Sequence, residues 1–157
     1  MLSVALQTAA IIVAGLMVGN ELCISAFVHP RLRALDDRLH IAAVQALARA
    51  LGAVMPFWYA ATLPLTGIVA YRLHAARAAS APLAGISAAL WLFSILYTVA
   101  GPVRINVQVS GWDLERLPED WKQQRGRWDT LHAIRVVILV VALACLVAAC
   151  LEARTAA

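Results

Sequence analysis

Charge is what this sequence has least of. Asp, Glu, Lys and Arg make up 14% of its 157 residues and hydrophobic residues 62%. Ordinary soluble domains carry about 25% charged and about 45–50% apolar residues. The balance excludes a soluble globular enzyme and leaves an integral membrane protein with room for one compact unit. The net charge of +4 does not make it a nucleic-acid binder, because basic residues are interleaved with acids in short linkers rather than gathered in a patch. Cysteine is also scarce. Cys23, Cys145 and Cys150 all lie in apolar segments, and none forms a CxxC. An odd number so placed argues against a disulfide framework, and the missing CxxC argues against a quinone-reducing thiol enzyme. The three read as small buried hydrophobes. The N-terminus lacks the basic residues of a signal peptide and its apolar run continues to Asn20 and Glu21, so it reads as a retained span. No internal repeat relates the two halves, and Pro56 and Pro64 share one segment, which argues against the paired broken helices of a transporter.

What is present is four long apolar runs, at about 3–28, 37–73, 78–105 and 118–152. Each can cross about 30 Å of hydrocarbon at about 1.5 Å per residue, and lipid leaves open strands unsatisfied. The expected fold is therefore all-α, a four-helix membrane bundle forming a single domain. The second helix, roughly 54 Å long, and the fourth should extend beyond the bilayer on one side. Pro56 and Pro64 are expected to kink the second helix. The first is expected to stop before His29-Pro30, and the fourth to begin at Pro118 with Glu119 and Asp120 in its first turn. Along the fourth helix Trp121, Arg125, Trp128, His132 and Arg135 recur at steps of four and three, forming one stripe.

Four antiparallel crossings place the end of helix 1, the start of helix 2, the end of helix 3 and the start of helix 4 on one side. Nearly every polar residue outside the linkers lies there, giving a polar head on an apolar bundle. Ten of the 13 Lys and Arg residues belong to that side. The positive-inside rule then turns the head to the cytoplasm of a bacterial-type inner membrane.

"GNELCISAFVHP" closes the first span with Glu21, Ser25 and His29 at i, i+4 and i+8, on one helix face. Ionisable residues within spans face a bundle interior or a wet cavity, so Glu21, His132 and Arg135 are expected to face one another. Asn20, Arg104, Asn106 and Trp128 join them from the same end. This inventory supports proton abstraction with stabilisation of a developing anion. Glu21, His29 and His132 also resemble a two-histidine, one-carboxylate metal set. The alternative for each is a buried polar clasp, with Glu21 paired to Arg135 or Arg104. Trp58 and Tyr59 read as core packing or as a wall for an apolar ligand, and His40 and His74 as surface residues.

"GNELCISAFVHPRL", "VMPFWYAAT", "RINVQVSGWD" and "DWKQQRGRWDTLHAIR" together resemble the anthrone oxygenase-like family of small four-span membrane proteins. The likeness is strongest in the asparagine loop and in the Trp-Asp-x-x-His-x-x-Arg run from Trp128 to Arg135. Glu21, His29, Asn106, Trp128, His132 and Arg135 match the family pattern. The resemblance implies oxidation of an anthrone by dioxygen to an anthraquinone. On that reading Glu21 or His132 takes the benzylic proton. Arg104 or Arg135, with Asn106, holds the oxyanion, and Trp58, Tyr59, Trp128 and Asn20 contact the substrate. The cofactor is either none or one transition metal. Two other readings stand beside the oxygenase: a metal-binding membrane protein with another redox role, and a non-enzymatic accessory or lipid-binding subunit. Small residues on helices 3 and 4 suit a homo-oligomer as well as packing within one bundle.

Overall fold

Lipid offers a backbone polar group no partner outside its own chain, so each apolar run resolves as a helix. The computed structural model describes residues 4–155. The elements are α1 (Val4–Cys23), a π-helical turn (Ile24–Val28), α2 (His29–Leu32), α3 (Asp37–Ala75), α4 (Ala81–Ala100), α5 (Pro102–Ser110) and α6 (Trp121–Thr155). Read end to end they make four helices long and apolar enough to cross a membrane: Val4–Leu32, Asp37–Ala75, Ala81–Ser110 and Trp121–Thr155. Among the described residues there is no strand, and the fold is the expected all-α bundle. Ser3, where the first span was expected to begin, lies outside the described residues.

α1 packs on α3 and α6, and α4 packs on the same two helices, so the order around the bundle is α1, α3, α4, α6. The central core mixes small and large side chains: Ala10, Ala14 and Met17 from α1, Trp91 from α4, and Leu139, Ala142 and Leu146 from α6. The small residues let the helices approach. Ser87 Oγ uses that closeness to donate to the Ala142 carbonyl across 2.7 Å.

Proline shapes the polar end, and the boundaries differ from expectation there. Pro30 has no N–H for the carbonyl four residues back and would clash with it. The first span does not stop there. It widens into the π turn, where the His29 N–H reaches the Ile24 carbonyl, and continues to Leu32. The third span breaks at Gly101 and resumes with Pro102 in the first turn of α5, so the expected asparagine loop is a helix through Ser110. A Cβ at position 101 would stand 3.3 Å from Leu131 Cδ1 of α6, so glycine permits the close approach. α3 passes unbroken through Pro56 and Pro64. α6 begins at Trp121 rather than Pro118, whose carbonyl accepts the Trp121 N–H in the preceding turn.

The head is more than a collection of polar groups. Ile41, Val44, Ile105, Val109, Trp121 and Trp128 form a second apolar core. His40 belongs to it too. It is buried, edge-on to Trp121 at 5.6 Å, where a surface position was expected, while His74 is exposed. Cys23 is exposed rather than buried. Asp36 caps α3 by accepting the Leu39 N–H, and exposed pairs Arg38–Glu115 and Lys122–Asp37 tie the linkers. Buried Gln45 fastens the head internally, its Nε2 donating to the carbonyls of Val109 and Trp112 at 2.9 and 3.0 Å. Gln45→Leu removes the side-chain donor from both carbonyls, of which that of Val109 keeps the Trp112 N–H. We expect it to lower stability by about 1–3 kcal/mol, read as a lower melting temperature of the detergent-solubilised protein.

Candidate functional site

A cavity of about 800 Å³ runs down the bundle between α3 and the α4–α5 segment. It follows α3 from Val44 to Pro64, about 30 Å at 1.5 Å per residue. Its mouth lies between two rows at steps of four: Ala48, Gly52, Pro56, Ala60 and Pro64 on α3, and Ile95, Val99, Val103 and Val107 on α4–α5. Val99 and Val107 are 59% and 69% exposed, so the mouth opens sideways through the apolar surface of the bundle, where lipid would lie. Pro56 and Pro64 have no N–H, so the carbonyls of Gly52 and Ala60 on this row lose their helical partners.

The wall opposite the mouth carries the ionisable groups. Glu21 is 2% exposed and forms a buried ion pair with Arg135, whose Nη2 donates to Glu21 Oε2. The same Nη2 lies 2.9 Å from His132 Nδ1. A guanidinium has only donors, so Nδ1 is the acceptor and the imidazole proton sits on Nε2. Arg135 also donates to Thr98 Oγ1 across 3.4 Å. Arg135 thus holds a carboxylate, an imidazole and a hydroxyl from three spans, and His132 Nε2 has no hydrogen-bond partner among the described residues.

A second group sits one to two turns nearer the head. Trp128 stacks on His132, 4.6 Å between centroids and 15° between planes, and lies 4.6 Å from His29. Arg125, 3% exposed, places its guanidinium 4.6 Å from the Trp128 ring centroid, and its Nη2 3.5 Å from His29 Nδ1. Asp129 lies 3.6 Å from Arg125 and 3.3 Å from Arg33. His29 reaches this group because of the π turn. In an uninterrupted α-helix, position 29 would stand about 80° around the axis from position 21. The wider turn holds His29 on the buried face below Glu21, whereas Ser25 is only half-buried.

The structure therefore brings Glu21, His29, Trp128, His132 and Arg135 to one cavity wall, with Tyr59 and Asn106 lining the same space. It separates four expectations from that group. Arg104 is exposed and does not line the cavity, because α5 buries Pro102, Ile105 and Val109 and turns position 104 away. Trp58 faces α1, its indole N–H donating to the Val13 carbonyl at 3.0 Å. Asn20 lies outside the cavity wall, its amide 3.8 Å from Met55 Sδ. Glu21, His29 and His132 do not form a metal-ligand cluster. Among the described residues no three His, Cys, Asp or Glu side chains converge that way. Arg135 takes the Glu21 carboxylate, and the two imidazole centroids stand 6.0 Å apart. Arg125, Asp129 and Thr98 join the site without having been chosen from the sequence. Arg125 stood on the four-and-three stripe and Asp129 one residue beside it. Thr98 carried no signal.

A four-span membrane bundle with a laterally open apolar cavity and a buried ion pair on its wall defines the class. The chain belongs to the anthrone oxygenase family, whose sequence profile matches residues 39–145. Asn106, Arg125, Trp128, His132 and Arg135 lie within the matched residues, and Glu21 and His29 lie before them. No curated protein and no solved structure matches the chain.

Removing one partner of a buried ion pair leaves the other charge uncompensated. Glu21→Leu should therefore cost about 3–5 kcal/mol, and adding Arg135→Met should recover most of it. Melting temperatures of the wild type, both single variants and the double variant in one detergent check this.

Proposed function

We propose that this protein is a membrane oxygenase that converts an activated methylene of an apolar aromatic, of the anthrone type, to a ketone with dioxygen. The observation that carries the reading is the meeting of the Glu21 carboxylate, the Arg135 guanidinium and the free His132 Nε2–H on the wall of a cavity open to lipid. Membership of the anthrone oxygenase family supports the reaction class.

Substrate dissolved in the bilayer passes between the two rows of the mouth and lies against Tyr59 and Trp128. The freed carbonyls of Gly52 and Ala60 accept from phenolic hydroxyls. The Glu21 oxygen not committed to Arg135 removes the benzylic proton. The enolate oxygen then takes the His132 Nε2–H and the Asn106 amide as donors, in a water-poor site where such hydrogen bonds act strongly on developing charge. The carbanion form adds dioxygen to give a hydroperoxide at the same carbon. Loss of the second benzylic hydrogen as a proton, with O–O cleavage, releases water and leaves one oxygen atom as the new carbonyl. The methylene carbon supplies all four electrons that dioxygen takes up, so the balance closes without an external reductant.

The test is oxygen uptake by purified protein in nanodiscs supplied with an anthrone. One dioxygen should be consumed per quinone formed. His132→Ala should lower turnover by about 10²–10³-fold, as removal of an oxyanion donor does elsewhere. Arg104→Gln, on the exposed side of α5, should leave it unchanged. Equal turnover in wild type and His132→Ala overturns the assignment of His132.

A further inference from the structure

Arg125 is the one cavity-lining cation that the proposed chemistry does not use. It is 3% exposed, and its Nε and Nη1 are buried with no hydrogen-bond partner among the described residues. Its remaining contacts compensate it poorly. The Trp128 face lies under it. His29 Nδ1 is at the outer limit of a hydrogen bond, at 3.5 Å. Asp129 stands 3.6 Å away and shares its charge with the closer Arg33. A buried guanidinium with idle donors is costly unless an acceptor comes to it. The charged groups lining the cavity are Glu21, Arg125 and Arg135, a formal sum of +1. Arg135 is matched by Glu21 at close range, whereas Asp129 divides its charge between Arg125 and Arg33, so Arg125 is the less compensated of the two.

From these observations we infer that Arg125 is an anion receptor at the head end of the cavity, and that the substrate is an acidic amphiphile. Its apolar body lies along the mouth, and an ionised carboxylate or phenolate reaches Arg125. The inference rests on the cavity being the substrate site and adds the chemical class that fills it. Arg125 and His132 are seven residues apart on α6, about 10 Å along the axis. The acidic oxygen therefore sits about 10 Å from the carbon that reacts, roughly the length of a fused three-ring body. Ser110, at the end of α5, lines the same end and supplies a neutral polar contact. An arginine suits this task, because its planar fork grips a carboxylate with two parallel N–H groups while its face stays on an aromatic ring.

Binding without turnover tests it. Anthracene-2-carboxylate and the neutral anthracene-2-methanol are titrated into the full-length protein in phosphatidylcholine nanodiscs, with empty nanodiscs subtracted. The wild type should hold the carboxylate at least about tenfold more tightly. Arg125→Gln should bring the two within about twofold, and Arg125→Lys should keep part of the preference. Arg104→Gln, outside the cavity on the exposed side of α5, should keep all of it. A preference in the wild type without any turnover of anthrones by it would sink the oxygenase reading and leave the receptor standing. Equal binding of the two probes by the wild type overturns the inference even if Arg125→Gln does not fold. So does an unchanged preference in a folded Arg125→Gln. Loss of the preference in nanodiscs containing phosphatidylglycerol would assign Arg125 to a lipid headgroup and overturn it as well.

Discussion

The carboxylate of Glu21 and the guanidinium of Arg135 are both removed from water, and each tolerates that position because the other is there. Taking one charge into a low-dielectric interior costs more than most single contacts return, so the pair constrains everything around it. It fixes the rotation of α1 against α6. It fixes which nitrogen of His132 accepts and so which one carries the proton. It draws Thr98 of α4 into the same cluster. Three spans are thereby registered by one guanidinium, at the depth where the cavity opens to its apolar surroundings.

Around that pair, backbone chemistry does the shaping. Four prolines shape the polar end and the cavity below it. Pro30 is accommodated by a π turn that swings His29 onto the buried face. Pro102, with Gly101, ends α4 and restarts the chain as α5, giving the cavity its Asn106 side. Pro56 and Pro64 line the mouth and leave two carbonyls without helical donors. In water such interruptions would be solvated. Beside a membrane they are tolerated where they border a cavity or are packed in protein, and Pro56, Pro64 and Pro102 line the cavity.

Much of this was legible in the sequence. Charge-free runs long enough for a bilayer announced the four spans, and the cost of charge in lipid announced that Glu21, His132 and Arg135 would meet. What periodicity alone missed has physical causes. A π turn adds a residue to a helical face without any signal in the spacing of polar residues. The two faces of α5 are set by tertiary burial of Ile105 and Val109, so Arg104 reads like its neighbour Asn106 and ends up outside the cavity. Trp58 and Tyr59 are adjacent and therefore point to different neighbours, one to α1 and one to the cavity. Arg125 was visible on the stripe. Its burial followed from the apolar core of the head, which short, scattered hydrophobic positions in four segments do not reveal.

The account depends on Arg135 ordering both Glu21 and His132. Nitrogen-15 NMR of histidine-labelled protein in nanodiscs reads that arrangement directly, with the His132 signals assigned by their loss in His132→Gln. A single Nε2–H tautomer at position 132, lost to a mixture in Arg135→Met, is the predicted result. A proton on Nδ1 of His132 in the wild type would contradict it, because Arg135 then has no acceptor there and the wall described for the cavity does not form.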